Sequence, residues 1–346
     1  MDVGITTPLA AVEDLTVRFV TRDTTVHAVN GVSFAVQPGE VLCILGESGS
    51  GKSVTLRALM RLLPRHAQLG GAVRVGGQDV LAMRGRALRA LRGGLVSMVF
   101  QEPMTALDPV YTIGQQIGET VRQHTGCDRG TARAKALELL ELVRVPSAAQ
   151  RLDAYPHELS GGLRQRAMIA MALSCGPRLL LADEPTTALD ATVQIQVLIL
   201  LRRLQRDLGM GMIFVTHDLG VAAEIADRIA VMYAGRVVES GPVADVLRAP
   251  AHPYTAGLLA STVHERSRGE PVTAIPGSPP DMRRLPAGCA FAPRCAHCQS
   301  ACMIGDPPPR HPAPDRMARC LRVADDALKS SLPWSMSYET ERRDHS

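Results

Sequence analysis

A glycine-rich segment, GESGSGKS at residues 46–53, has the residue types needed to bind phosphate. Glycine lets the backbone bring successive N–H groups close to anionic oxygens, and the N-terminus of a following helix adds partial positive charge. Lys52 can contact the β- and γ-phosphates as a point charge, and the Ser53 hydroxyl can bind Mg²⁺. The segment therefore predicts a nucleoside triphosphate site. The other predicted contacts are Gly46, Ser48, Gly49, Ser50 and Gly51.

A pair of acids, Asp183 and Glu184, follows an apolar run at residues 179–182, which Arg178 precedes. Such a run is typical of a central parallel strand whose carboxyl end faces a ligand. Asp183 can hold Mg²⁺ through water, and Glu184 can polarise the attacking water. The alternative is a pair of acids at the start of a helix. The phosphate-binding segment upstream favours the catalytic interpretation.

Two single polar residues also stand at the ends of apolar runs. His217 follows the run at 211–216, and Gln101 follows the run at 96–100. A histidine at the carboxyl end of a core strand is a candidate to contact the γ-phosphate. Gln101 is a candidate to contact Mg²⁺ or water. The alternatives are a structural histidine and a surface glutamine.

The elements that must position these residues can be predicted from apolar spacing. Residues 41–45 form an apolar run between Pro38-Gly39 and Gly46, which predicts a buried strand. Residues 53–63 have helical apolar spacing and stop at Pro64. The stretch 102–176 is mostly helical in pattern, and a long helix is predicted from about residue 191.

Composition limits the class of protein. The chain has 346 residues and a net charge of +4. So small a positive charge is weak evidence for nucleic-acid binding, and 3% aromatic residues provide few side chains on which bases could stack. We find no run of 18 apolar residues and no secretory leader, so we expect a chain that neither spans a membrane nor is secreted.

Composition also indicates the domains. After residue 249 lie 14 of the 24 prolines and five of the eight cysteines. We therefore expect an α/β nucleotide-binding domain at 1–260, with a helical subdomain at about 102–176. A small irregular extension, rich in cysteine and proline, is expected at 261–346.

A second serine-glycine turn, LSGGLRQ at 159–165, opens a helix of its own. Taken in order with the phosphate-binding segment, Gln101, Asp183-Glu184 and His217, it resembles the ATP-binding cassette (ABC) family over about residues 10–260. The resemblance implies a P-loop core and a head-to-tail dimer, with ATP held between the phosphate loop of one subunit and the serine-glycine turn of the other. It places Ser160, Gly161, Gly162 and Asp190 among the nucleotide-site residues, and Phe19 on the adenine. A core phenylalanine is the alternative for Phe19.

Three shorter segments resemble dipeptide and oligopeptide permease ATPases: residues 101–109, 252–255 and 275–280. This resemblance implies an ATP-hydrolysing subunit on the cytoplasmic face of the cell membrane, without nucleic acid. Its implied partners are a second, different ATPase chain, two transmembrane permease subunits that dock near residues 101–108, and, indirectly, an extracytoplasmic solute-binding protein. The alternative is a soluble ABC ATPase acting on nucleic acid or ribosomes.

Five cysteines within 32 residues, at positions 289–320, need their own explanation. Structural disulfides are disfavoured in a cytoplasmic chain. Zinc fits the Cys295-x-x-Cys298 spacing with His297 and His311 nearby, an iron–sulfur cluster fits four thiolates on proline-rich loops, and free thiols remain a third reading. The resemblance to the permease extension favours a 4Fe–4S cluster. It assigns the cluster to Cys289, Cys295, Cys302 and Cys320.

Overall fold

The computed structural model describes residues 7–187, 189–261 and 274–323. Parts of the predicted extension, 262–273 and 324–346, lie outside the described residues. The strands are β1 (Ala10–Val20), β2 (Thr25–Val36), β3 (Val41–Leu45), β4 (Ala67–Val75), β5 (Gln78–Asp79), β6 (Val96–Val99), β7 (Leu179–Asp183), β8 (Gly211–Thr216), β9 (Arg228–Tyr233), β10 (Arg236–Pro242), β11 (Arg310–Ala313) and β12 (Arg316–Ala318).

The helices follow in the same numbering. They are α1 (Lys52–Leu59), α2 (Gly85–Gly94), α3 (Pro103–Ala106), α4 (Ile113–Thr125), α5 (Arg129–Leu142), α6 (Ala148–Arg151), α7 (Gly161–Leu173), α8 (Ala191–Asp207), α9 (Leu219–Ile225), α10 (Val243–Arg248) and α11 (Pro253–Ser261). Short 3-10 helices lie at Pro156–Glu158, Ala292–Arg294 and Ser300–Met303.

The main sheet positions the predicted site. Within the described residues its strand order is β11-β12-β10-β9-β3-β8-β7-β6, and the five strands from β9 to β6 are parallel to one another. Every residue of β3, β7 and β8 is buried, as expected for strands covered on both faces. Because the carboxyl ends of parallel strands meet at one edge, the loops after β3, β6, β7 and β8 converge there. The predicted α/β fold and the strand at 41–45 are confirmed.

A smaller antiparallel sheet has the order β2-β1-β4-β5 among the described residues. Its apolar residues pack with one face of the main sheet and α1 into a single buried cluster, which includes Val17, Leu56 and Ile213. On the other face, α7 and α9 contact the strands of the main sheet, and together with α4, α5 and α8 they form a second cluster that includes Phe214. The main sheet is thus a middle layer, and the small sheet covers one of its faces.

The stretch between β6 and β7 contains α3 to α7 and the 3-10 helix at Pro156–Glu158, with no strand among its described residues. The mostly helical pattern at 102–176 is therefore confirmed at the level of secondary structure. Asp128 begins α5 by accepting hydrogen bonds from the backbone of Gly130 and Thr131. The 102–176 boundaries of a subdomain remain a prediction.

Two elements differ from the expectation. Helix α1 ends at Leu59, not at residue 63, because Arg61 adopts a left-handed φ of 53° and the Arg92 side chain binds the carbonyls of Met60 and Arg61. The extension is also less irregular than predicted. Its strand β12 pairs with β10, so that the extension continues the main sheet.

Candidate nucleotide site and cysteine cavity

The loop between β3 and α1 can be built only from glycine at two positions. Gly46 and Gly51 have φ values of 158° and 100°. A Cβ atom on Gly46 would lie 2.2 Å from the Met232 carbonyl oxygen, and one on Gly51 would lie 2.4 Å from the Ala28 carbonyl oxygen. The loop therefore passes close to neighbouring backbone and leads directly into the N-terminus of α1, which favours an anion.

Lys52, the first residue of α1, lies under this loop. Its ammonium group donates hydrogen bonds to the carbonyl oxygens of Gly46 (2.7 Å) and Glu47 (3.0 Å) and lies 3.8 Å from Glu184 Oε1. Burial lowers the pKa of Lys52, and the charges of Glu184 and Asp183 oppose that shift. The acids at the end of β7 thus help to keep a buried ammonium group charged beside the phosphate loop.

Ser53 and Asp183 meet at the start of α1. The Ser53 hydroxyl donates a 2.6 Å hydrogen bond to Asp183 Oδ1, and Asp183 is only 1% exposed. Burial raises the pKa of Asp183, against the hydrogen bond from Ser53. Since Mg²⁺ prefers oxygen ligands, a hydroxyl and a carboxylate placed together beside a phosphate loop fit this ion.

Glu184 is the point where several loops meet. Its Oε2 atom accepts hydrogen bonds from Gln101 Nε2 (3.3 Å) and the Thr187 hydroxyl (3.1 Å) and lies 3.2 Å from His217 Nδ1. The structure therefore brings together three side chains that the sequence placed at the ends of β6, β7 and β8. Sequence reasoning missed Thr187, whose position in the turn that follows Glu184 was the available signal.

The backbone of Glu184 is strained. Its φ is 45°, and its N–H donates to the carbonyl oxygen of Val215 at the end of β8 (3.0 Å). Strain of this kind persists where the surroundings fix the conformation, and it is concentrated at functional sites. The side chain is 14% exposed, so the carboxylate is held in one position yet remains accessible to water.

The serine-glycine turn lies at the start of α7. In the described part of the chain, its hydrogen bond and nearest neighbours belong to α7, Leu189 and α8, and not to the phosphate loop at 46–53. Ser160 is exposed and its hydroxyl accepts from the Leu163 N–H, which caps the helix. A Cβ atom on Gly162 would lie 2.7 Å from a methyl group of Val193, whereas one on Gly161 would contact Leu189 at 3.6 Å. The predicted site residue Asp190 caps the adjacent helix α8 by accepting from the Val193 N–H.

The remaining predicted contacts differ in exposure. Phe19 is half-buried on β1, with its ring 5.9 Å from that of His66. Ser48 and Gly49 are exposed at the top of the loop, while the buried hydroxyl of Ser50 has no hydrogen-bond partner among the described residues.

A small cavity of about 20 Å³ in the extension is lined by all five of its cysteines, together with His252, Phe291 and His297 among others. The backbone N–H of Cys289 donates to the Cys302 carbonyl oxygen at 2.8 Å, which closes the loop around the cavity. Burial raises the pKa of Cys295 to about 11, and it also raises the pKa values of Cys289 and Cys320. The thiols therefore stay protonated unless a cation offsets their burial.

The metal prediction is not supported at this point. In the part of the chain that the structure describes, no group of three or more His, Cys, Asp or Glu side chains is placed to hold a metal ion. This result supports neither the zinc arrangement nor the iron–sulfur arrangement among the described residues. The four cysteines assigned to a cluster line one cavity, which Cys298 lines as well.

Comparison with known proteins identifies the family. A family model for ABC transporters matches residues 29–187, and one for the C-terminal region of oligopeptide/dipeptide transporters matches residues 238–302. A putative peptide import ATP-binding protein of Brucella abortus is 51% identical over 328 residues, which covers 91% of this chain and 97% of the relative. The chain belongs to the ABC transporter family.

Further comparisons agree with this family. The oligopeptide transport ATP-binding protein OppD of Salmonella typhimurium is 46% identical over 320 residues, covering 92% of this chain and 95% of OppD. Among solved structures, the dimeric ABC transporter cassette MJ0796 has a TM-score of 0.61 at 27% identity, covering 68% of this chain and 98% of the cassette. The same cassette in a post-hydrolysis state bound to ADP and Pi matches equally well.

No helix among residues 7–187, 189–261 and 274–323 is long and apolar enough to cross a membrane.

Proposed function

We propose that this chain is the ATP-hydrolysing subunit of an ABC importer for peptides. The observation that carries the proposal is the position of Glu184 between Lys52 and His217, in a chain that is 45–51% identical to proteins named for peptide import or oligopeptide transport. The contacts of Glu184 support hydrolysis, and the relatives support the peptide substrate. A soluble ATPase acting on nucleic acid or ribosomes is not favoured.

In this proposal the backbone N–H groups of the loop and the Lys52 ammonium group bind the β- and γ-phosphates. Ser53 and Asp183, with Gln101, would hold Mg²⁺, which supplies charge neutralisation at the phosphates. Glu184 positions and deprotonates the attacking water. His217, whose ring is 60% exposed and 3.2 Å from Glu184, orients that carboxylate and contacts the γ-phosphate. Gln101 links the site to the helices that follow it.

The second part of the proposal is a site shared between two subunits. Ser160, Gly161 and Gly162 lie at the N-terminus of α7, where backbone N–H groups can bind phosphate from a partner's ATP. The exposure of Ser160 and the dimeric state of the similar cassette MJ0796 support this arrangement. Asp190 caps the adjacent helix α8, whose Val193 lies beside Gly162. Phe19 is the proposed adenine contact on this chain's own side.

A test of the shared site uses Ser160→Arg. If the partner ATPase is a different chain, this substitution should impair the partner's nucleotide site and spare binding at Lys52. Nucleotide occupancy measured separately at the two phosphate loops gives the answer. A loss confined to this chain's own loop would contradict the head-to-tail arrangement.

The membrane partners are proposed to dock beside Gln101. Large apolar side chains are exposed there, including Met104 (51%), Val110 (69%) and Tyr111 (53%), and such a surface is typical of a protein contact. The full assembly would contain two transmembrane permease subunits, a second ATPase of a different chain and, on the far side, a solute-binding protein. We propose a peripheral location on the cytoplasmic face of the cell membrane.

Copurification tests the function directly. The tagged chain, isolated from detergent-solubilised membranes, should bring with it two membrane subunits and a second ATPase. Its ATP turnover should depend on Lys52. Recovery of ribosomes or DNA in place of membrane subunits would support the alternative and contradict the importer.

For the extension we propose a 4Fe–4S cluster on Cys289, Cys295, Cys302 and Cys320, within an extension at 261–346 that follows a nucleotide-binding domain at 1–260. The common cavity of these four residues supports the assignment. Protein purified without oxygen should then contain about four irons per chain and absorb broadly in the visible range. Single serine substitutions of the four should remove the colour, whereas Cys298→Ser should keep it. One zinc and no iron would contradict the cluster.

A further inference from the structure

An arginine of the extension forms an ion pair with the phosphate loop itself. Arg294 Nη1 donates to Glu47 Oε2 at 2.9 Å, and Nη2 donates to Oε1 at 3.2 Å. Arg294 is only 8% exposed, and it lies 247 positions from Glu47 in the sequence. A bidentate guanidinium–carboxylate pair fixes both orientation and distance, so the two residues position each other.

The guanidinium group of Arg294 is fixed on its other sides as well. Its Nε donates to the Pro276 carbonyl oxygen (2.9 Å), and Nη1 also lies 3.3 Å from the Tyr233 hydroxyl. The rings of Tyr233 and Phe291 flank it at 5.7 and 5.9 Å from Cζ. The side chain therefore has one orientation before it meets Glu47, and little rotamer freedom remains to be lost.

Glu47 is in turn a central residue of the loop. Its carbonyl oxygen accepts from Lys52 Nζ (3.0 Å) and from the Ser50 N–H (3.2 Å), and its own N–H donates to the Tyr254 hydroxyl (3.0 Å). Among the described residues, the hydrogen bonds to the Glu47 carboxylate come from Arg294 of the extension. A shift of Glu47 would move the carbonyl that Lys52 contacts and the backbone N–H groups that follow.

The pair has an electrostatic consequence too. Glu47 is a carboxylate inside a loop that must accept a polyanion, and without Arg294 its charge would oppose the phosphates. The charge of Arg294 cancels that of Glu47, and the carboxylate of Glu47 is turned toward the extension. Removing Arg294 therefore has two effects, a freer loop and an uncompensated negative charge.

We propose that Arg294 is a positioning residue for ATP binding, through which the cysteine-rich extension holds the phosphate loop in its binding conformation and neutralises Glu47. The proposal rests on the assignment of residues 46–53 as the ATP phosphate site. It gives the extension a role in nucleotide affinity, although the extension supplies no group to the reacting phosphates.

The experiment measures Mg-ATP affinity by equilibrium binding to the purified chain and the KM and kcat of hydrolysis in the assembled transporter. Arg294→Met should weaken ATP binding and raise KM roughly tenfold, the size of one lost charge-assisted hydrogen bond, with kcat at saturating ATP nearly unchanged. Arg294→Lys keeps the charge but not the bidentate geometry, so it should give a smaller effect and remain folded. Combining Arg294→Met with Glu47→Gln should restore part of the affinity, because it removes the uncompensated charge.

A matched control separates positioning from simple docking of the extension. Arg316, also in the extension, forms a 2.9 Å ion pair with the buried Glu239 of β10 and not with a residue of the phosphate loop. Arg316→Met should lower stability and leave the ATP affinity near that of the wild type. Equal loss of affinity in both methionine variants, or no loss from Arg294→Met, would overturn the proposal. If the wild-type protein does not bind ATP at all, the assignment of residues 46–53 as the phosphate site is wrong.

Discussion

Replacing Glu184 by glutamine tests the catalytic part of the site most directly. Glutamine has nearly the same shape, so the strained backbone at φ 45° and the packing around the side chain should survive. Its carbonyl oxygen can still accept from Thr187 or Gln101, which contact Glu184 Oε2 at 3.1 and 3.3 Å. What the amide lacks is the ability to take a proton from water.

The size of the effect follows from this single loss. A positioned general base contributes about 10²–10⁴ in rate, which corresponds to roughly 3–5 kcal/mol of transition-state stabilisation. The substitution also removes the carboxylate 3.8 Å from Lys52 that helps keep this ammonium group charged. Bound ATP is itself an anion and restores that support, so we expect ATP binding to persist while kcat falls.

Phosphate release in the assembled transporter and equilibrium binding of Mg-ATP provide the two measurements. Glu224→Gln, which changes an exposed acid on α9 in the same way, is the matched control and should leave both unchanged. Turnover at the wild-type rate from Glu184→Gln would show that another group activates the water. Loss of ATP binding would show that the carboxylate acts mainly by keeping Lys52 in place.

Three further predictions concern the surroundings of the site. Gly51→Ala should cost about 1–3 kcal/mol of unfolding free energy and most of the ATP affinity, because its Cβ atom would lie 2.4 Å from a carbonyl oxygen. Gly49→Ala is the control, since a Cβ atom there would have no atom within 4 Å; it should lose less stability in urea unfolding, and equal losses would contradict the clash. Asp183→Asn should stabilise the nucleotide-free protein at pH 7, because burial raises the pKa of Asp183 and the charged carboxylate lowers stability above that pKa. The gap in unfolding free energy between variant and wild type should shrink as the pH falls through the pKa of Asp183. A gap that does not change with pH would refute burial of the charge as its cause. Arg316→Met should lower the unfolding free energy by about 1–3 kcal/mol, because the buried Glu239 loses its cation but keeps the hydrogen bonds from the Ala251 and His252 N–H groups. A change near zero would show that Glu239 takes up a proton instead.

The sequence by itself determined the local parts of the nucleotide site. The loop at 46–53 needs glycine where φ is positive and backbone comes close, and Lys52 and Ser53 follow at the start of the helix for reasons that lie within a few residues. The apolar runs before Asp183 and His217 likewise predicted buried strands, because fully buried parallel strands require continuous apolar residues. Parallel strand ends share one edge, so even the meeting of Gln101, Glu184 and His217 could be anticipated.

The tertiary structure decided what depends on contacts between distant segments. No local pattern shows that β12 would join β10, or that Arg316 would pair with Glu239 beneath that junction. Helix α1 also ends earlier than predicted because of a distant segment: Arg92 of α2 donates to the carbonyl oxygens of Met60 and Arg61. Arg294 and Glu47 each look like ordinary surface charges in sequence. The packing of Arg294 against Tyr233 and Phe291 buries its guanidinium group beside the half-buried Glu47. This fixed guanidinium group makes the ion pair between two distant residues a support for the phosphate loop.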